Sequence, residues 1–345
     1  MEKKERAPVY YSEYLQLDKI LNAQTPESGK EGIRADDEML FIIIHQTYEL
    51  WFKQILHELD IIRDIFKQPN IQNSAPDIYN SVHRLKRICR ILEIAVNQIT
   101  VIETMTPLDF LDFRDLLRPA SGFQSIQFKM IEASLGLAYE QRHGKSYYLS
   151  QLNPQDINRV KDAESNVSLL VLINNWLERM PFIKDKNYWG ENDKDSNQFW
   201  KQYRSAYDDS LSEMEKANLR SFDMIFMDDA NYPEDRKLSS DASRNALFIM
   251  LYRDYPLFHL PYELLSTLLE IDELLSMWRH RHIHMVQRTI GKRVGTGGSS
   301  GADYLKAAAD SHYVFKEVAE LTSFLLPRHL LPTLPARLVK DLSYN

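Results

Sequence analysis

Apolar residues recur along this chain at steps of three and four almost throughout, the period of helices with one buried face. No strict two-residue alternation is long enough to predict a strand. The pattern predicts a short helix over 11–24 and a loop over 25–34, which holds Pro26, Gly29 and Gly32. A long helix opens at Asp36 and Asp37, acidic residues suited to a helix N-terminus, and runs to 67, where Pro69 stops it. Another covers 75–101. Pro107 fits the first turn of a short helix; Pro119, Ser121 and Gly122 then interrupt, and a further helix reaches 137. Helical stretches follow over 153–179 and 239–252, then from the turn flanked by Pro256 and Pro261 to 290, then over 302–325. The three prolines of the tail leave room for one short closing helix. Residues 185–197 read as a loop. Residues 198–229 read as a charged segment with a weaker stripe of Phe199, Tyr203, Tyr207, Leu211 and Met214. The sum is one all-α domain over 1–345, a bundle of long helices with a peripheral helical excursion at about 192–229. No repeat of fixed period and no low-complexity tract divides it.

Composition narrows the setting. With 44% hydrophobic and 26% charged residues in 345, the chain can bury a sizeable core. A net charge of −7 argues against a general nucleic-acid binder, which needs a basic field to displace counterions. The longest apolar runs, such as 39–44, are too short to span a bilayer, and the N-terminus lacks the apolar core of a signal peptide. The single cysteine, Cys89, leaves no internal disulfide and no CxxC metal site. We therefore expect a soluble, cytoplasmic protein without nucleic-acid or membrane partners.

Candidate chemistry gathers in residues 277–301, MWRHRHIHMVQRTIGKRVGTGGSSG, where a helix end carries three histidines and runs into a loop with five of the chain's eleven glycines. Apolar positions lead through Leu268, Ile271, Leu275 and Trp278 to His282, Met285 and Thr289, so His282 lies on the inward stripe. His280 and His284, two residues either side, are turned by about 200° to the opposite face. Their i, i+4 spacing permits a metal, but no Glu, Asp or Cys accompanies them, and a solvated face is favoured. In the long early helix, Phe41, His45, Tyr48 and Phe52 share one face. Two inward histidines on mostly apolar faces suit a haem between them, or two buried hydrogen bonds. Arg114, after Phe110 and Phe113, suits bidentate binding of a carboxylate or a surface ion pair with Asp112 or Asp115. The loop 297–301 matches G-x-S-x-G only formally, because a helix and not a strand precedes it, and no phosphate-binding glycine motif is complete. It reads as a lid over a pocket or as a plain connector.

Four long blocks then carry a resemblance. YYSEYLQLDKILNAQ (10–24), DEMLFIIIHQTYELWFKQILHELD (37–60), ETMTPLDFLDFRDLLRPASGFQS (103–125) and WRHRHIHMVQRTIGKRVGTGGSSG (278–301) resemble the tryptophan 2,3-dioxygenases. The resemblance covers most of the chain and is poorest over 192–229. It implies a helical protein enclosing haem b, assembled as a homotetramer (a dimer of dimers), which opens the indole ring of L-tryptophan with O2 to give N-formyl-L-kynurenine. It implies His282 as the axial ligand of the haem iron and His45 as the distal histidine that meets the indole N–H. Phe41 and Phe110 would wall the indole pocket, and Arg114 would bind the substrate carboxylate. Ser121 would lie beside the haem, and Thr296 would close on the amino group. Tyr11 and Tyr14 would reach a neighbouring subunit's pocket. Some relatives carry Tyr where this chain has Phe110. The rival readings are a haem monooxygenase of the same superfamily acting on another indole or aromatic amino acid, and a haem sensor without turnover.

Overall fold

The longest helices of the computed structural model form where the three-and-four pattern is longest. The structure describes residues 7–69, 71, 76–137, 152–189, 194–291, 293, 295 and 313–343, and no strand occurs among them. In chain order the α-helices are α1 (Tyr11–Tyr14), α2 (Leu17–Leu21), α3 (Glu27–Lys30), α4 (Asp37–Phe66), α5 (Pro76–Ile102), α6 (Pro107–Arg114), α7 (Ile126–Leu135), α8 (Pro154–Ser165), α9 (Leu169–Glu178), α10 (Lys186–Trp189), α11 (Lys194–Ser210), α12 (Ala217–Phe222), α13 (Ser240–Leu251), α14 (His259–Ile290), α15 (Lys316–Glu320) and α16 (Ala336–Leu342). Residues 296–312, which hold most of the glycine-rich stretch read as a lid or a connector and the start of the helix expected at 302, lie outside the described residues.

The bundle is built on α14, α5 and α4. α14 lies along α5, α5 along α4, and α7 covers α4. Their buried faces, including Phe52, Ile55, Leu59, Leu85, Leu92, Leu264 and Leu268, form the main core. A second, smaller core joins the first half of α4 to the end of α5, α6 and the last turns of α14: Ile44, Ile99, Ile102, Met105, Phe110 and Phe113. Tyr48 and Trp278 pack against both cores.

Two helix boundaries and the burial of one stripe depart from the periodic reading. The helix expected over 11–24 is cut at Gln16, which takes φ 53° and whose side-chain amide donates to Glu13 O at 2.6 Å. Neither half buries a residue, so no packing restores continuity. The helix expected over 153–179 is two: Ser165 Oγ and Asn166 Nδ2 both donate to Asp162 O, and Ser168 caps α9 by accepting from Val171 N. The stripe of Phe199, Tyr203 and Tyr207 reads as weak in sequence, yet these rings are buried in the main core with Phe222 and Phe226. Met214, counted in the same stripe, is almost fully exposed.

Residues 314 and 315 are bound to a buried carboxylate of α14. Asp272 on α14 accepts from Val314 N at 3.2 Å and from Phe315 N at 2.6 Å. Burial raises its pKa to about 6, although those two backbone bonds favour the charged form.

Candidate functional site

The second core presents the candidate residues. On α4 the Phe41 and His45 rings, one turn apart, lie with centroids 4.1 Å apart. From α6, Phe110 stacks on Phe41 at 5.7 Å and Phe113 meets it edge-on at 5.6 Å. α6 is held in register by a capping box in which Thr106 and Asp109 satisfy each other's backbone N–H, with Pro107 in the first turn. Its last residue, Arg114, is buried, at 5% exposure. Asp115 pairs with Arg118 at 3.3 Å.

His45 lies at the edge of the second core, beside Phe41. Water reaches much of its ring, yet enough protein surrounds it that burial pushes its pKa below the usual histidine value. The bond to Phe41 O and the charge of Glu49 offset only part of that shift. Glu49 is held by Gln127, whose Nε2 donates at 2.8 Å to its backbone O and at 2.8 Å to Oε2. His45 Nδ1 lies 2.7 Å from Phe41 O. A carbonyl only accepts, so Nδ1 carries the proton and Nε2 of the neutral ring keeps a lone pair.

His282, on α14, is half-buried. Burial, helped by the nearby His45, pulls its pKa down to about 4. At neutral pH both imidazoles are therefore uncharged, the form that ligates a metal or accepts a hydrogen bond. The fully buried track of α14 runs through Leu268, Ile271, Leu275, Arg279 and Ile283, whereas Trp278, His282, Met285 and Thr289 are only half-buried. The inward stripe read from the sequence is thus fully buried over Leu268–Leu275 and only partly buried beyond it. His280 and His284 are exposed, as their phase predicts, and among the described residues no group of three or more His, Cys, Asp or Glu could hold a bare metal ion.

The remaining expected residues divide. Ser121 is half-buried and caps a short 3-10 turn, its Oγ accepting from Phe123 N at 3.4 Å while Gln124 Oε1 accepts from Ser121 N. Tyr11 and Tyr14 are each 75% exposed and take no part in the second core. Thr296 lies outside the described residues. Sequence reasoning passed over Trp278, whose indole lies nearly parallel to the His282 ring, with centroids 5.4 Å apart and planes 11° apart. The W-x-x-x-H spacing was the available signal. A separate surface cleft of about 310 Å³, bounded by Tyr188, Trp189, Phe199 and Pro335, contains none of the candidate residues.

The arrangement suits a large, flat, mostly apolar group. The side chains around it are aromatic and aliphatic, and its donors are two neutral imidazoles. Fold and site together define an all-helical protein with a two-histidine recess between long helices. Comparison with known proteins makes this specific. A family profile described as tryptophan 2,3-dioxygenase matches residues 1–325. A tryptophan 2,3-dioxygenase of Dictyostelium discoideum is 44% identical over 96% of this chain and 87% of its own length. One of Alteromonas mediterranea is 42% identical over 99% of both, and one of Xenopus tropicalis is 38% identical over 97% and 86%. The chain belongs to the tryptophan 2,3-dioxygenase family.

Proposed function

We propose that this protein is a haem-dependent dioxygenase that opens the indole ring of L-tryptophan with O2, giving N-formyl-L-kynurenine in the first step of tryptophan breakdown through kynurenine. The observation that carries the reading is the pair of neutral imidazoles, His45 and His282, at one aromatic recess of a chain in this family. Haem b, one per subunit and ferrous when active, supplies the O2 chemistry that side chains lack. His282 holds it, and the lowered pKa keeps that ring unprotonated and able to ligate. Ser121 lies beside it.

The other residues bind and orient the substrate. Phe41 and Phe110 stack and exclude water around the indole. His45 accepts the indole N–H through Nε2, because Nδ1 is committed to Phe41 O. An indole N–H is a very weak acid, so His45 positions the ring and need not remove its proton. Arg114 pairs with the substrate carboxylate; a guanidinium buried at the end of α6 does so in a medium where charge-assisted bonds are strong. Thr296 closes on the amino group.

The active assembly is a homotetramer, a dimer of dimers in the cytoplasm, in which Tyr11 and Tyr14 enter a neighbouring subunit's pocket. Two phenol rings left 75% exposed on a short helix with no buried residue support that role. No described helix is long and apolar enough to cross a membrane. Turnover under isotope-labelled O2 tests the reaction class: both oxygen atoms should enter the product, and a single labelled atom would make the enzyme a monooxygenase.

A further inference from the structure

On α4 and α14 three histidines have a described partner or stacking neighbour one turn back, and they are held in two different ways. His45 Nδ1 lies 2.7 Å from Phe41 O, and His280 Nδ1 lies 2.8 Å from Ser276 O. Each ring is thus fixed by the carbonyl four residues earlier. His282 has no such bond among the described residues; four residues before it stands Trp278, and the two rings stack at 5.4 Å and 11°. A histidine that ligates a metal is commonly oriented by a hydrogen bond at its second nitrogen. Here a flat aromatic face occupies that role.

The indole can impose its plane because it is held on its other sides. Phe128 of α7 packs on it at 4.9 Å. Tyr48 and Phe52 of α4 meet it edge-on, at 6.0 Å and 76° and at 6.3 Å and 83°. These braces are themselves fixed. Tyr48 Oη donates to Ala95 O of α5 at 2.9 Å. The Arg279 guanidinium lies over Phe128 at 5.9 Å and bonds to the buried Glu132 at 2.7 Å. Rings from α4 and α7 therefore converge on one indole of α14, at the junction of the two cores. A side chain serving only as filler needs volume; this one presents a parallel face to an imidazole and braced edges to everything else.

We propose that Trp278 is a positioning residue for His282: its braced indole, through the parallel stack, sets the plane of the imidazole and so the strength and orientation of axial ligation. The proposal rests on the haem reading of His282. The test compares Trp278→Leu and Trp278→Phe in the full-length, haem-loaded protein. In the ferrous state the iron–histidine stretching band is read by resonance Raman, with haem dissociation and thermal melting measured alongside. Trp278→Leu should shift or broaden the band and release haem about tenfold faster, the usual scale for losing a group that orients a metal ligand. Trp278→Phe keeps a ring and should restore most of both. A Leu variant with the parent's band, or Leu and Phe variants displaced equally, would overturn the proposal, since volume alone would then account for the site. Should the Leu variant fail to fold, Phe128→Leu removes one brace while leaving the stacked pair. It should give a smaller shift in the same direction, and an unmoved band overturns the proposal. A parent protein without a Soret band on haem addition would instead refute the haem reading, before any variant is compared.

Discussion

His45 and Arg114 carry the sharpest chemistry at the scale of single residues. His45 is an ordinary helix histidine made into an acceptor by one backbone carbonyl, Phe41 O, and kept neutral by burial. Burial holds its pKa below the ordinary value of 6.5, so protonation of the ring is displaced to lower pH. The pH profile of kcat/KM should accordingly lack a limb at that ordinary value, and a limb there that vanishes in His45→Ala would contradict the assignment. The same variant should lower kcat/KM by about tenfold, the scale of one neutral hydrogen bond, and should not abolish turnover. Arg114→Ala should keep haem and raise KM for tryptophan by roughly 10–100-fold, the range for a charge-assisted pair. In that variant tryptamine, which lacks the carboxylate, should lose its handicap relative to tryptophan. A tryptamine-to-tryptophan ratio unchanged from the parent would mean that Arg114 does not touch the carboxylate.

At the scale of elements, long amphipathic helices were legible in sequence and their local ends were not. α4, α5 and α14 have many apolar positions in phase, so single exceptions do not move them. The breaks at Gln16 and at 166–168 depend on side chain–backbone bonds that periodicity does not encode. His282 could be separated from His280 and His284 because helix phase is geometric; the W-x-x-x-H spacing put Trp278 one turn from it, but the bracing rings from α4 and α7 could not be seen. Two element-scale predictions follow from particular positions. Gly136 ends α7 at φ 132°, and an added Cβ would come 2.7 Å from Leu170 Cβ. Gly136→Ala should therefore destabilise the fold by about 2 kcal/mol or more in denaturant unfolding, through backbone strain and overpacking. Asp272 titrates at about 6 when folded, against 3.8 as a free side chain. The folded chain thus holds this proton more tightly, and the associated stability is fully present below 3.8 and lost as pH rises through about 6. Relative to Asp272→Asn, the parent should lose on the order of 3 kcal/mol across that window, and a parallel pH dependence of the two would refute it.

The whole molecule places the two histidines on separate long helices joined through α5, so the recess depends on the assembled bundle and on no single motif. This is why 345 residues serve one site, and why the aromatic stripe over 199–207, weak in sequence, is buried in the same core as α14. If the exposed Tyr11 and Tyr14 complete a neighbour's pocket, removing residues 1–16 should leave haem content intact while cutting turnover at least tenfold. Sedimentation of the same truncated protein would report whether assembly is lost with activity. The central claim, that this recess turns bound haem and O2 on the indole ring, is tested most directly by mixing the ferrous haem-loaded protein with L-tryptophan and O2 and following product absorbance. N-formyl-L-kynurenine should form in step with tryptophan consumed, and His282→Ala should abolish it together with axial ligation. A protein that binds haem through His282, takes up O2 and leaves tryptophan intact would contradict it.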